Sequence, residues 1–150
     1  MIRRATLADL NQIIDMTIPY HYEAGVNAGR ELSRDRILQT FYGAITNDGW
    51  TTLVDDKLTS ILIAYENYSF YDTPEMDIDF FYVSPESRAT GVSRELVEEI
   101  IKIARERKVS VLYCGCHSYM ADGGTNDRLF SNLFKKYGFK ETGTNLHLGL

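Results

Sequence analysis

The sequence predicts a mixed α/β (α+β) domain in which one sheet carries helices on both faces. Three observations predict it. Short runs rich in β-branched and aromatic residues alternate with segments of helical period. Their order along the chain is strand, two helices, three strands, helix, strand, helix and closing strand. Elements in that order can bury their apolar sides when helices pack on a mixed sheet. The 150 residues suit a single domain, 1–150, large enough to bury a core without disulfides or structural metal. No repeat, low-complexity tract or linker divides them.

Ile2 to Ala5 is a short strand candidate. Thr6, with Asp9 three residues on, can cap a helix whose Leu10, Ile13, Ile14 and Thr17 share one face, and Pro19 is expected to end it. Tyr20 to Leu32 has no clean period and reads as loop or short helix. Ser33 can cap a second helix, with Ile37, Leu38, Phe41, Tyr42 and Ile45 at helical spacing before Asn47-Asp48-Gly49. Trp50 to Val54 and Leu58 to Tyr65 form a hairpin across Asp55-Asp56-Lys57. Asn67 to Pro74 is a polar loop. Met76 to Val83 is the third strong strand, and Asp77 and Asp79 interrupt its apolar run. Val92, Leu96, Val97, Ile100, Ile101 and Ala104 make the apolar stripe of a long helix with Glu98 and Lys102 paired on its outer face. Val109 to Tyr113 reads as a buried strand. Asp127 to Tyr137 is a helix burying Leu129, Phe130, Leu133 and Phe134, with Gly138 as a left-handed stop. Thr142 to Leu150 offers closing strand.

Composition narrows the function classes. The net charge is −5, and Lys and Arg are interspersed with acids, which argues against a nucleic-acid partner. No apolar run reaches the roughly 20 residues of a membrane-spanning helix. Cys114 and Cys116 are too close to staple a fold, and no charged-then-apolar segment opens the chain, so the expected compartment is the reducing cytoplasm. Cys114, Cys116 and His117 lack ordinary zinc spacing and a second ligand cluster, so no metal is expected. His21 and His147 stand alone, although His21 lies in a tyrosine-rich stretch.

The most informative segment is Ser84-Pro85-Glu86-Ser87-Arg88-Ala89-Thr90-Gly91-Val92-Ser93. A strand that ends in a small-residue turn and feeds directly into a helix aims backbone N–H groups and the positive end of the helix dipole at one point. Gly91 permits a positive φ or a close approach of a phosphate, and Ala89 and Ser93 keep neighbouring side chains short. The physics predicts a phosphate-bearing ligand and leaves nucleotide and coenzyme A open. The Lys-Ser or Lys-Thr of a P-loop and a full dinucleotide glycine pattern are both missing.

From Val83 to Ser93 the segment resembles the cofactor motif of the GNAT family of N-acetyltransferases, whose pattern is Gln or Arg, two residues, Gly, one residue, then Gly or Ala. Arg88 and Gly91 match; Ser93 is small but non-standard. Val83 with Pro85, the order of elements, and Tyr137-Gly138-Phe139 extend the resemblance along nearly the whole chain. The resemblance implies a GNAT fold: a mixed twisted sheet of six to seven strands, splayed at the cofactor site, with helices on both faces. It implies acetyl-CoA (coenzyme A) as cofactor. The pantetheine arm would bond the Val83 backbone, and the pyrophosphate would sit on the N–H groups of Ala89, Thr90, Gly91, Val92 and Ser93 beside Arg88. An asparagine frequent at the start of the last helix is met by Asn126, one residue early, with Asp127 in register.

An amine attacking a thioester must first lose its proton, and the resulting oxyanion and thiolate need donors. Strand spacing puts Asp77 and Asp79 on one face, about 6–7 Å apart at Cα, where desolvation and mutual repulsion favour a raised pKa. By the resemblance, Asp77 falls where several family members carry a catalytic glutamate. The competing reading pairs both acids with Lys or Arg across the sheet. Glu66 is a reserve base. The family's tyrosine acid, four residues before the Gly-Phe pair, is here Phe134, which leaves Tyr137 or Tyr119 as acid candidates and Tyr137 also as a core aromatic. The function expected is transfer of an acetyl group from acetyl-CoA to a primary amine, on a small molecule or a protein, by direct attack in a ternary complex. The alternative is an inactive GNAT-fold protein with an interaction or structural role. Tyr20, Tyr22, Glu23, Glu66, Tyr68, Tyr71 and Asp72 would suit a cationic acceptor. Monomer and homodimer both remain open.

Overall fold

The computed structural model describes residues 1–23, 31–115 and 127–143. Among them one mixed sheet of five strands runs in the order β1 (Ile2–Arg4), β2 (Trp50–Asp55), β3 (Ser60–Asn67), β4 (Glu75–Val83), β5 (Val111–Cys114). β1 to β4 are antiparallel neighbours, and β5 joins β4 in parallel. The closing strand expected from Thr142 falls largely outside the described residues, and with it the comparison with six to seven strands.

Helices cover both faces. On one, α3 (Val92–Glu106) and α4 (Asp127–Lys135) pack over Leu53, Leu62, Ala64, Met76, Ile78 and Val83. On the other, Ile13 and Ile14 of α1 (Leu10–Glu23) and Phe41 and Ala44 of α2 (Arg34–Thr46) pack over Val54, Ile61, Ile63 and Tyr82. Leu96, Val97 and Ile100 of α3 are fully buried, each contributing about 1.5–3 kcal/mol relative to exposure. Their spacing is why α3 forms where it does.

Several expectations need correction. Pro19 does not end α1, which continues to Glu23. The proline ring fixes a φ compatible with helix and removes one N–H. Pro19 and Asp15 are both exposed, so the Asp15 carbonyl that loses its donor lies on the solvent side. Leu38 and Tyr42 of α2 are exposed rather than core, because the buried stripe runs through Phe41 and Ala44. Lys102 pairs with Glu99, not Glu98. β5 is half exposed: Val111 and Tyr113 alternate with partly covered Leu112 and Cys114. The caps follow expectation: the Thr6 N–H and hydroxyl both donate to Asp9, Ser33 Oγ accepts from the Arg36 N–H, and Gly138 takes φ 91°.

Candidate acetyl-transfer site

β4 contains the feature that organises the site. Its register with β3 runs Ile63↔Phe80 and then Ala64↔Ile78, so Asp79 is an extra residue in a β-bulge. The bulge changes which residues share a face. Met76 and Ile78 belong to the core under α3, as do Phe81 and Val83, whereas Phe80 and Tyr82 belong to the core under α1 and α2. Uninterrupted alternation would have put residues 76, 78, 80 and 82 together. The ladder to β5 covers Glu75 to Ile78, opposite Val111 to Cys114, and stops where the bulge begins. Among the described residues, Asp79 to Val83 therefore have no strand on that side.

Asp77 lies two residues before this point, opposite Tyr113 of β5. It is half-buried on β4 and lies opposite Tyr65 of β3. Burial raises its pKa above the ordinary carboxylate value, the charges of Asp79 and Glu75 raise it further, and the neighbouring Tyr65 hydroxyl works in the other direction. The same burial and carboxylates push the Tyr65 hydroxyl up, which keeps it a donor. Among the described residues neither Asp77 nor Asp79 joins an ion pair. Among those residues no Lys or Arg neutralises either acid across the sheet. Tyr65, stacked on Trp50 with ring centroids 5.1 Å apart, was missed as a site residue. Its signal was available in the hairpin register, which alone places it opposite Asp77.

The reserve base Glu66 is committed elsewhere, in an ion pair with Arg107 at the end of α3. Tyr137 is not brought to Asp77. Its hydroxyl donates to Glu98 Oε1 at 2.8 Å, and its ring packs on the α3 side of the sheet, so it joins the end of α4 to α3. Phe134 is 2% exposed and stacks with Phe81, Phe130 and Phe139, an aromatic core position. His21 is partly buried against the Tyr20 ring, and burial lowers its pKa. Asn126, Cys116, His117, Tyr119 and His147 lie outside the described residues, as do the side chains of Tyr22 and Glu23.

The turn after β4 has the shape its sequence predicts. A short 3-10 helix, Pro85–Ser87, leads to Gly91, which takes φ 89° as the cap residue of α3 with no side-chain cap. A Cβ at Gly91 would meet nothing within 4 Å, so glycine is required there by the left-handed backbone rather than by crowding. Arg94 and Glu95 both donate to the Gly91 carbonyl. The N–H groups of Ala89, Gly91, Val92 and Ser93 find no acceptor among the described residues. Thr90 differs: its N–H and hydroxyl both go to the Ser87 carbonyl, so it braces the turn from within. The Val92 side chain is in the core, leaving only its N–H at the surface. Arg88 folds back, donating from Nε to the Val83 carbonyl at 3.0 Å with its guanidinium carbon 6.0 Å from the Tyr82 ring centre. An uncapped helix start with unclaimed N–H groups, beside a strand edge open from Asp79, fits a long phosphate-bearing cofactor that can lie along β4.

The model of the acetyltransferase (GNAT) family matches residues 11–123, well over half of the chain. The chain belongs to the GNAT family. A GNAT domain takes its acyl group from acetyl-CoA, which is the cofactor here. Solved structures similar to this GNAT chain include a predicted acetyltransferase of Clostridium acetobutylicum crystallised with acetyl-CoA. Its TM-score is 0.74 at 16% identity, covering 99% of this chain and 95% of that one. An aminoglycoside 6'-N-acetyltransferase of Acinetobacter haemolyticus has TM-score 0.71 at 16% identity, covering 100% and 97%. An integron cassette protein from a Cole Harbour salt-marsh metagenome has TM-score 0.74 at 18% identity, covering 99% and 88%. Such identities show a shared fold. No curated protein matches the sequence. Among the described residues no helix is long and apolar enough to cross a membrane, and no group of His, Cys, Asp and Glu is placed to hold a metal ion.

Proposed function

We propose that this GNAT domain is an N-acetyltransferase acting on a cationic primary amine, with Asp77 as general base in a ternary complex. The observation that carries the reading is the half-buried Asp77 carboxylate, which joins no ion pair among the described residues and has its pKa raised by burial and by Asp79 and Glu75, one residue before the last β4–β5 pair. Acetyl-CoA supplies the activated acyl group. The N–H groups of Ala89, Gly91, Val92 and Ser93 would hold its pyrophosphate. The Val83 carbonyl, which already accepts from Arg88, has a second lone pair for the pantetheine arm.

Asp77 takes a proton from the incoming ammonium, directly or through water, and the neighbouring Tyr65 hydroxyl tempers the rise in its pKa. Asp79 adds a second negative charge that favours a cationic acceptor. The β3–β4 loop exposes aromatic surface: Tyr68, Phe70 and Tyr71 are 55%, 96% and 64% exposed. Ring faces and carboxylates together suit an ammonium group, on a small molecule or on a lysine side chain. Tyr137, held by Glu98, has no part in proton transfer in this reading.

Titration of the purified protein with acetyl-CoA, then thiol release across a polyamine, an aminoglycoside and a lysine peptide, tests it. Saturable binding and amine-dependent thiol release are expected. Asp77→Asn should lower kcat by about 10²–10⁴. Absence of acetyl-CoA binding would overturn the reading and leave an interaction module on the same fold.

A further inference from the structure

Asp55, the last residue of β2, is 7% exposed, and no Lys or Arg pairs with it among the described residues. A buried carboxylate without a cation needs donors instead. Asp55 has five: the N–H groups of Lys57, Thr59 and Ser60, and the hydroxyls of Thr59 and Ser60. Burial opposes ionisation, but the donors of Ser60 and Thr59 outweigh it and lower the pKa. The loop they define is strained, because Leu58 is held at φ 53° without being glycine.

The proton directions are forced. A carboxylate has none to give, so the Thr59 hydroxyl donates to Asp55 Oδ2 at 3.0 Å. Its oxygen then accepts from Ser87 Oγ at 2.9 Å. The Thr59 carbonyl accepts the Ser84 N–H at 2.8 Å. Ser87 in turn presents its carbonyl to Thr90, which donates its N–H at 3.1 Å and its hydroxyl at 2.7 Å. Thr90 is the residue before Gly91. A chain of hydrogen bonds therefore runs from a buried charge in the β2–β3 hairpin, across to the 3-10 helix, and into the turn that leaves its N–H groups unclaimed.

We propose that Asp55, Thr59 and Ser87 are positioning residues that set the shape of the anion-binding turn before the cofactor arrives. This rests on reading the turn as the acetyl-CoA cradle. Preorganised donors bind a phosphate without being ordered at the moment of binding, so loosening them weakens cofactor affinity more than turnover at saturation.

Two readouts test it on the full chain. Thr59→Val keeps the shape of the side chain but removes both hydroxyl links, and Ser87→Ala removes one without touching Asp55. Hydrogen exchange of the cofactor-free protein should speed up about tenfold in peptides spanning residues 84–95 in Thr59→Val, with α2 peptides unchanged. Acetyl-CoA affinity should fall about 5–30-fold and kcat at saturation should stay within about twofold. Thr59→Ser should restore both. If Thr59→Val fails to fold, Ser87→Ala decides, with a smaller shift in the same direction. Unchanged exchange over residues 84–95 in the folded variants, or Thr59→Ser behaving like Thr59→Val, overturns the proposal. Failure of the unaltered chain to bind acetyl-CoA strikes the cofactor reading instead, and the exchange readout still decides the positioning role.

Discussion

Burial on β4 and the charges of Asp79 and Glu75 make the ionised form of Asp77 costly, and among the described residues the Tyr65 hydroxyl relieves part of it. The raised pKa gives the folded chain a greater proton affinity than the unfolded one, for which 3.8 is the ordinary value. Stability therefore falls as pH rises from that value through the folded pKa, and the loss is complete above it. Asp77→Asn should accordingly raise Tm at pH 7–8, by about 2 °C, while the rate collapses. A melt showing no gain would remove the electrostatic penalty. The same shift predicts that kcat/KM rises with pH through an apparent pKa above that of an exposed carboxylate, a limb that Asp77→Asn abolishes in a pH–rate profile. Gly91 makes a second residue-scale prediction. Its φ of 89° should cost Gly91→Ala about 1–2 kcal/mol, read by denaturant melts, together with weaker acetyl-CoA binding.

At the scale of elements, the buried stripe of α3 was legible because Leu96, Val97 and Ile100 repeat at helical spacing and are all buried, whereas the partner of Lys102 was not. α2 was legible as a helix but not in its facing. Leu38 and Tyr42 keep the period yet lie outside the strip that touches the sheet. β4 was legible as a strand and as the carrier of two acids, but not as bulged, because one extra residue leaves no mark in hydrophobic alternation. The partner of Tyr137 was equally hidden: a hydroxyl at the end of α4 meets Glu98 only once two helices lie side by side. That contact predicts that Tyr137→Phe loses less than about 1 kcal/mol and leaves kcat within about twofold. A large fall in kcat with unchanged affinity would return Tyr137 to the chemistry.

For the whole molecule, two buried carboxylates behave oppositely to Asp77 in acid. Arg3 beside Asp9 holds that carboxyl well below the usual range, and the Asp55 donors lower its pKa despite burial. A depressed folded value means the stabilisation is present above the ordinary 3.8 and lost as pH falls through the folded values. Thermal melts should show Tm dropping between about pH 5 and pH 2, and Asp9→Asn should narrow the difference between pH 7 and pH 3. A Tm independent of pH over that span would remove both roles. Fold class, the order of the described elements and the shape of the turn after β4 could all be read from the residues. The hydrogen-bonded tie between hairpin and turn could not, since Thr59 and Ser87 are 28 positions apart and neither has a motif around it.

The bulge at Asp79 has a further consequence. It acts as a phase slip in β4: residues before it and residues after it obey opposite parity, and both cores are built to match. Removing that one residue would rotate Phe80 and Tyr82 into the wrong layer and Phe81 and Val83 out of theirs. The end of the β4–β5 ladder at Ile78 is thus locked to the packing of two hydrophobic layers, so this stretch of β4 can change its exposed side chains freely but cannot lose its residue count without losing the fold.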